Sequence, residues 1–563
     1  MIYHCEDHTC NYWDEGEKLP ERCPQCGRKL LRANEADMTG DDWTALGNTL
    51  WDAEASDKKR MVDCFRKAAY LGSAWGVCNL GICMEQGNGV EADPVQAFWL
   101  YQQAVEMGSL NAVCCLGVCY QYGIGTAPDA EKAAELYCKA AEYGSPRGQM
   151  LLARAFHDGI GVEADAAEAV HWVRAAAYQR YGEGMYRLGV CYEYGDGVEQ
   201  NWEHAVHWFR EAAESGVSVA MADLGYCYEK GCGVEQSWEQ AFSWYRRGAE
   251  CGYPVSMSNL GLCYKRGYGV EQNWQEAVKW YEQGAQCGHL QSMNNLAYCY
   301  EYGEGVEQNE ERALYWYRRG AEAGSDYCMY CLGWNYSNGE GVEQNMTEAI
   351  RWYTAAAEGG NADAMHDLGW LYDHGEGVEQ DMKKAICWYE RAAEQNHPAA
   401  MNSLGECYAM GRGVPRDLET AMEWYRRAAE LGEAMADYNM GWHLEQAGKL
   451  SEAYAHYRKA ADGNDDSAWW ALGRFYENGV VVAQDGKEAR RCYETGEKLG
   501  SVKCKMRLAR CKLLGIGGRR AKKAGLDLCR QALELAKESS EKEDYGYEAE
   551  MNLLRRTIAE NES

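Results

Sequence analysis

The stretch VSVAMADLGYCYEKGCGVEQSWEQAFSWYRRGAECG, residues 217–252, decides the fold. Ala220, Leu224 and Tyr228 stand four apart with Cys227 beside them, so one side of a helix is apolar. Gly231 and Gly233 break the pattern, and Ser237 follows as an acceptor for the free amides of a new helix. In the preceding copy the second helix carries Ala205, Trp208, Phe209, Ala212 and Ala213 and closes at Gly216, a C-terminal cap. The unit reads helix, loop, helix.

The loop string G-x-G-V-E-Q-N, most varied in the earliest copies, recurs with its first glycine at Gly87, Gly123, Gly159, Gly195, Gly231, Gly267, Gly303, Gly339, Gly375 and Gly411, always 36 residues apart. Further copies begin at Gly479 and Gly515, and the gap before Gly479 holds one shortened copy around Gln446-Ala447-Gly448-Lys449. Counting degenerate copies, about 14 units run from residue 41 to about 536. Every regular copy has a capping residue before its second helix, such as Asp165, Asn201, Asn273 or Asp417. A column of alanines extends from Ala97 to Ala421, and a Trp column through Trp172, Trp208, Trp244, Trp280, Trp316, Trp352, Trp388 and Trp424. Both lie on the apolar face of the second helix, so the tryptophans are expected to pack the core rather than form a ligand platform. Helical hairpins that bury their stripes only against neighbours stack into a solenoid, and the predicted fold class is all-α.

Leu224-Gly225, Tyr228, Gly231, Gly233, Val234, Ala241, Trp244, Tyr245, Ala249, Glu250 and Gly252 resemble the Sel1-like repeat, a relative of the tetratricopeptide repeat. The resemblance covers almost nine-tenths of the chain. It implies a right-handed α-solenoid of about 14 helix-turn-helix repeats of 36 residues over 41–536. It also implies an adaptor or scaffold for protein complexes. The unit from about 433 to 464 is closer to a plain tetratricopeptide unit, and a change of curvature is expected there. Residues 537–563 read as a capping segment, a last helix with Leu553, Leu554 and Ile558 facing the array.

Residues 1–40 lack the repeat and hold Cys5, Cys10, Cys23 and Cys26, the last two in Cys23-Pro24-Gln25-Cys26-Gly27. Two cysteine pairs in a stretch too short for a core suggest a tetrahedral thiolate site. The segment resembles a zinc ribbon or a rubredoxin-like knuckle, which implies structural Zn2+, with iron as the alternative metal. The first pair departs from that pattern as C-x4-C, and His8 is the alternative to Cys10 as fourth ligand. A closed four-ligand site has no position for a reacting water, so it implies no catalysis.

The remaining composition narrows the function. Of 563 residues, 87 are acidic and 57 basic, a formal charge of −30 that disfavours nucleic acid or an anionic membrane as a partner of the whole surface. The N-terminus shows no signal-peptide pattern and no apolar run reaches the length of a membrane span, so a cytoplasmic, bacterial protein is expected. Cys83, Cys119, Cys191, Cys227, Cys263, Cys299 and Cys407 share one helical column whose members should be about 10 Å apart, too far to bridge. Cys328 and Cys331 fall within a helix and read as packing, and the pair His204 and His207 lacks a partner carboxylate. No nucleophile motif appears, and the glycine loops join two helices rather than a strand to a helix.

A partner surface should occupy the columns that vary. With Leu224 at the centre of the first helix's buried stripe, positions 222 and 226 point into the concave groove usual for such solenoids. Those columns place Tyr298, Tyr330, Trp334, His366, Trp370, Tyr438 and Trp442, with Tyr327 and Asp373 nearby, across repeats 290–445. An aromatic patch rimmed by acids suits a protein or peptide with apolar and basic residues. The alternative is that these rings stack on neighbouring repeats and stiffen the groove. Residues 501–536 reverse the charge with ten Lys or Arg against two acids, a basic end cap for an acidic partner or nucleic acid, or a plain polar cap. The reading is a non-catalytic scaffold. The contrasting classes are the β-lactamase-like hydrolase described for some secreted relatives and nucleic-acid binding through ribbon and cap.

Overall fold

The structure, a computed structural model, describes residues 2–5, 13–15, 30–32, 35–51, 55–542 and 548–562. The chain divides into two units, Met1–Ser292 and Met293–Ser563. The first unit opens with three short strands, β1 (Ile2–Cys5), β2 (Trp13–Glu15) and β3 (Leu30–Arg32), in an antiparallel sheet of order β2-β1-β3. β1 pairs Tyr3 with Asp14 on one side and Cys5 with Leu30 on the other. Among the described residues, 29 α-helices follow. The first 28 form successive pairs, from Gly40–Thr49 with Ala55–Tyr70 to Val502–Leu514 with Lys522–Lys542, and Glu548–Glu562 stands last. Within each unit a helix packs on its own pair partner and on the next pair, the nearest-neighbour arrangement of an α-solenoid. No described helix is long and apolar enough to cross a membrane.

The pair Ser218–Lys230 and Trp238–Glu250 shows why the sequence folds this way. Gly231 takes φ 73° and its amide donates to the Cys227 carbonyl at 2.8 Å, ending the first helix in a left-handed cap. Gly233, at φ 68°, is pressed against the previous repeat: a Cβ there would lie 2.3 Å from the Trp202 carbonyl oxygen. Gln236 Nε2 then donates back to the Glu229 carbonyl at 2.8 Å, and the Ser237 hydroxyl accepts the Gln240 amide to start the second helix. The glutamine bridge recurs from Gln200, Gln272, Gln344, Gln380 and Gln484, which explains why glutamine stands just before the capping residue.

The tryptophan column packs the core as expected, though not at its centre: Trp244 is buried, and Trp172, Trp208, Trp280, Trp388 and Trp424 are half-buried and packed against it. The aromatic that fills each pair is the following residue, Tyr245, Tyr281, Tyr317, Tyr389 or Tyr425, fully covered. It lies against the first helix's glycine, where a Cβ on Gly225 would come 2.6 Å from the Tyr245 ring. The Tyr245 hydroxyl reaches one turn along that helix and donates to Glu229 at 2.8 Å, so burial of the phenol does not orphan its polar end. Guanidinium groups lie over the faces of the tryptophans, Arg247 at 4.2 Å from the Trp244 centroid and Arg391 at 4.3 Å from Trp388.

Near the C-terminus the basic run is partly used inside the fold. Arg507 and Arg510 both pair with Glu477, and Arg507 Nε lies 2.6 Å from Glu550 of the last helix. Trp470 Nε1 donates to the same Glu550 at 3.3 Å. Met551 and Leu554 of that helix are buried with Met506 and Leu513, whereas Leu553 is only half-covered. Arg519, Arg520, Lys522 and Lys523 remain exposed.

Candidate functional site

Of the expected metal ligands, Cys10, Cys23 and Cys26, like His8, lie outside the described residues, and for Cys5 the backbone alone is described, at the end of β1. Among the described residues, no group of three or more His, Cys, Asp or Glu is placed to hold a metal. Cys328 is buried beside Asn294, with its thiol pushed up to about 12 by burial. His204 sits edge-on to Tyr192 and His207 to Trp208.

The aromatic positions of residues 290–445 all fall in the second unit, on first helices of successive repeats. They separate into two classes. Trp334, Trp370 and Trp442 are 45%, 40% and 39% exposed and occupy one helical position at multiples of 36 residues. Tyr327, also exposed, lies seven residues before Trp334 and therefore on the same side of helix Asp326–Asn338. Met435 repeats that relation to Trp442 in helix Ala434–Gln446 and is exposed as well. Met435 was not among the candidate partner-binding residues, although it stands three repeats after Tyr327 in the sequence. Trp370 stacks on His374 at 4.2 Å, and Trp442 meets the edge of His443 at 4.7 Å. Burial holds His443 below the usual imidazole range.

Tyr330, His366 and Tyr438 occupy the neighbouring column and are half-buried, each packed on the core tyrosine of its own repeat: Tyr353, Tyr389 and Tyr457. The Tyr330 hydroxyl donates to Asp367 of the next repeat at 3.2 Å, and burial raises the Tyr330 and Tyr438 phenols. His366 stacks on His397 at 5.1 Å, and the two rings contact Asp367 (3.0 Å) and Asp363 (3.1 Å) respectively. Tyr298 is half-buried and lies against Tyr302, one turn along its own helix. Asp373 is not on the open surface. It is buried, 2.9 Å from Arg412 of the following repeat, because its position lies on the side of the helix that elsewhere receives the core tyrosine's hydroxyl.

The face therefore combines exposed indole rings at a fixed spacing, a polar layer of Tyr330, Asp363, Asp367, His366, His397, Asn402 and Glu406 between them, and a packed layer beneath. Asn402 donates to Glu406 at 3.1 Å, and Asn439 donates to both Asn402 and Glu406, so the polar layer crosses from repeat to repeat. Such an arrangement offers flat apolar area and carboxylate acceptors without a nucleophile poised beside a base.

The Sel1 repeat model matches residues 76–109, 112–145, 146–181, 182–217, 218–253, 254–289, 290–325, 326–361, 362–397, 398–433, 434–465 and 468–501. Among solved structures, the chain is similar to c5321, a protective antigen present in uropathogenic Escherichia coli strains and displaying an SLR fold. The two are 29% identical with a TM-score of 0.55, over 76% of this chain and 94% of that one. A Sel1 repeat protein from Oxalobacter formigenes is 28% identical over 56% of this chain and 94% of its own, with a TM-score of 0.47. None of the curated proteins compared matches the chain. Twelve consecutive matches, laid over the helix pairs with their glycine loops and buried tyrosines, show that the chain belongs to the Sel1 repeat family.

Proposed function

We propose that the protein is a non-catalytic scaffold that holds a protein or peptide segment on the first-helix face of its second unit. The observation that carries this reading is the row Trp334, Trp370 and Trp442: large indoles about two-fifths exposed, at one repeated position, beside tyrosines that already fill the core. Exposed tryptophans cost solubility and contribute little to a core, whereas buried against a partner they anchor interfaces. Asp363, Asp367 and Glu406 among them favour a partner that carries Lys or Arg next to apolar residues. Substituting Trp334 and Trp370 by Ala is expected to leave helicity unchanged and to abolish capture of the partner from the source cell. Unchanged capture by a folded double variant overturns the site.

The N-terminal segment is proposed to carry a structural metal, Zn2+ rather than iron, on Cys5, Cys10, Cys23 and Cys26. The pairing of Cys5 with Leu30 supports this, because it returns the chain beside β1 four residues after Cys26. Four thiolates make a closed tetrahedral donor set. Metal analysis should find one zinc per chain, lost on Cys23→Ser and Cys26→Ser; a metal-free protein with a folded N-terminus contradicts it.

A further inference from the structure

The repeat column of cysteines keeps its members apart, but Cys78 and Cys115 are 37 residues apart, one position off the repeat. That offset places them on neighbouring first helices, Ala74–Gln86 and Leu110–Tyr122, where both belong to one buried core cluster. Both are buried. Arg147, from the next first helix, Pro146–Asp158, directs Nη1 at Cys115 Sγ (3.4 Å) and at Asn111 Oδ1 (2.5 Å), while Asn111 Nδ2 donates to Cys78 Sγ at 3.6 Å. One sulfur thus has a guanidinium donor and the other an amide donor, and the two donor groups are joined to each other. Arg147 also lines a cavity of about 560 Å3 together with Met150, Leu151 and Tyr181.

We propose that Cys115 and Cys78 form a redox pair, in which a small hydroperoxide oxidises Cys115 and Cys78 resolves the product into a disulfide between neighbouring repeats. The Cys115 thiolate attacks the terminal oxygen of the hydroperoxide. An S–O bond forms, the O–O bond breaks and the peroxide leaves as alkoxide or hydroxide, which takes a proton from water. Sulfur is oxidised to sulfenic acid and the peroxide is reduced. The Cys78 sulfur then displaces the hydroxyl group, which leaves as water with the Cys78 proton. The electrostatics agree with these roles. The neighbouring Cys78 thiol, with the charge and hydrogen bond of Arg147, brings the Cys115 thiol down to about 7, while proximity to Cys115 and burial raise the Cys78 thiol. Cys83 and Cys119, on the same two helices, are pushed up to about 11 and about 12 by burial and have no such donors. Glu85, Tyr101 and Cys114 also face Cys115, and Arg147 is the cation against them.

The test uses the reduced full-length chain and hydrogen peroxide, with residue-resolved mass spectrometry. Cys115 is expected to oxidise at least about tenfold faster than Cys83 and Cys119, and a linked peptide joining Cys78 to Cys115 should lack two hydrogens. Cys78→Ser should leave a Cys115 sulfenic acid that dimedone traps. Arg147→Met should slow Cys115 alone. If Cys115 in the unsubstituted protein reacts no faster than Cys83 and Cys119, or bridges to a cysteine other than Cys78, the proposal is wrong.

Discussion

The loop glycines do two different jobs, and a pair of substitutions separates them. Gly252 sits at φ 83° with nothing within 4 Å of the position a Cβ would take, so Gly252→Ala costs only the left-handed backbone, about 1 kcal/mol. Gly233 has a similar φ, 68°, but its Cβ would fall 2.3 Å from the Trp202 carbonyl oxygen and 2.4 Å from the carbonyl carbon. Those atoms begin the second helix of the previous repeat and cannot swing aside as a side chain does. Overpacking against them adds about 2 kcal/mol, for a total of about 3 kcal/mol. Because every 1.4 kcal/mol is tenfold, helix Trp202–Glu214 should exchange its amide hydrogens roughly 100-fold faster in Gly233→Ala. In Gly252→Ala the change is about fivefold, confined to the helices flanking that loop. Native-state hydrogen exchange read by mass spectrometry resolves both helices. Equal acceleration in the two variants, or no change in Trp202–Glu214 on Gly233→Ala, would refute the view that the second loop glycine is the contact between repeats.

Tyr245→Phe removes a donor to a half-buried carboxylate and should cost about 1 kcal/mol, read by denaturation, with Glu229 left to its neighbour Lys230. Asp465 has its carboxyl raised to about 6 by burial, so the folded state holds its proton more tightly than the unfolded chain. Its contribution therefore weakens as pH rises from the ordinary carboxylate range to about 6, and Asp465→Asn, which keeps a capping oxygen, should flatten the denaturation midpoint over that window. Glu550→Ala strips Arg507 and Trp470 of their shared acceptor, and protease cleavage of Glu548–Glu562 should precede loss of the remaining helices.

Much of this molecule was legible because the repeat writes each physical requirement many times. A glycine every 36 residues marks the caps, and a Ser, Asn or Asp six residues later marks the next helix start. Depth was not legible. Trp244 and Tyr245 are adjacent on one apolar face, and the tyrosine goes deeper because Gly225 has no Cβ to keep its ring away. Asp373 looked like a surface acid, but its partner Arg412 is 39 residues distant, a relation that periodicity within one repeat does not reveal. Of the two candidate columns, 298, 334, 370 and 442 reach the surface to different extents. The column through 330, 366 and 438 is drawn down onto the core tyrosines, so these rings stiffen the face while Trp334, Trp370 and Trp442 remain open. Cys78 and Cys115 fall outside any column of equivalent positions because their spacing is one residue longer than the repeat.

Binding of a segment with apolar and basic residues by the exposed tryptophans of the second unit is read by titrating display-selected peptides of that composition against the unsubstituted protein and against Trp334→Ala, Trp370→Ala and Trp442→Ala. Truncating an interface anchor typically costs about 2 kcal/mol or more, so each single change should weaken Kd by roughly 30-fold while the circular dichroism spectrum stays the same. Equal affinity for the unsubstituted protein and for a folded variant lacking all three indoles would contradict it.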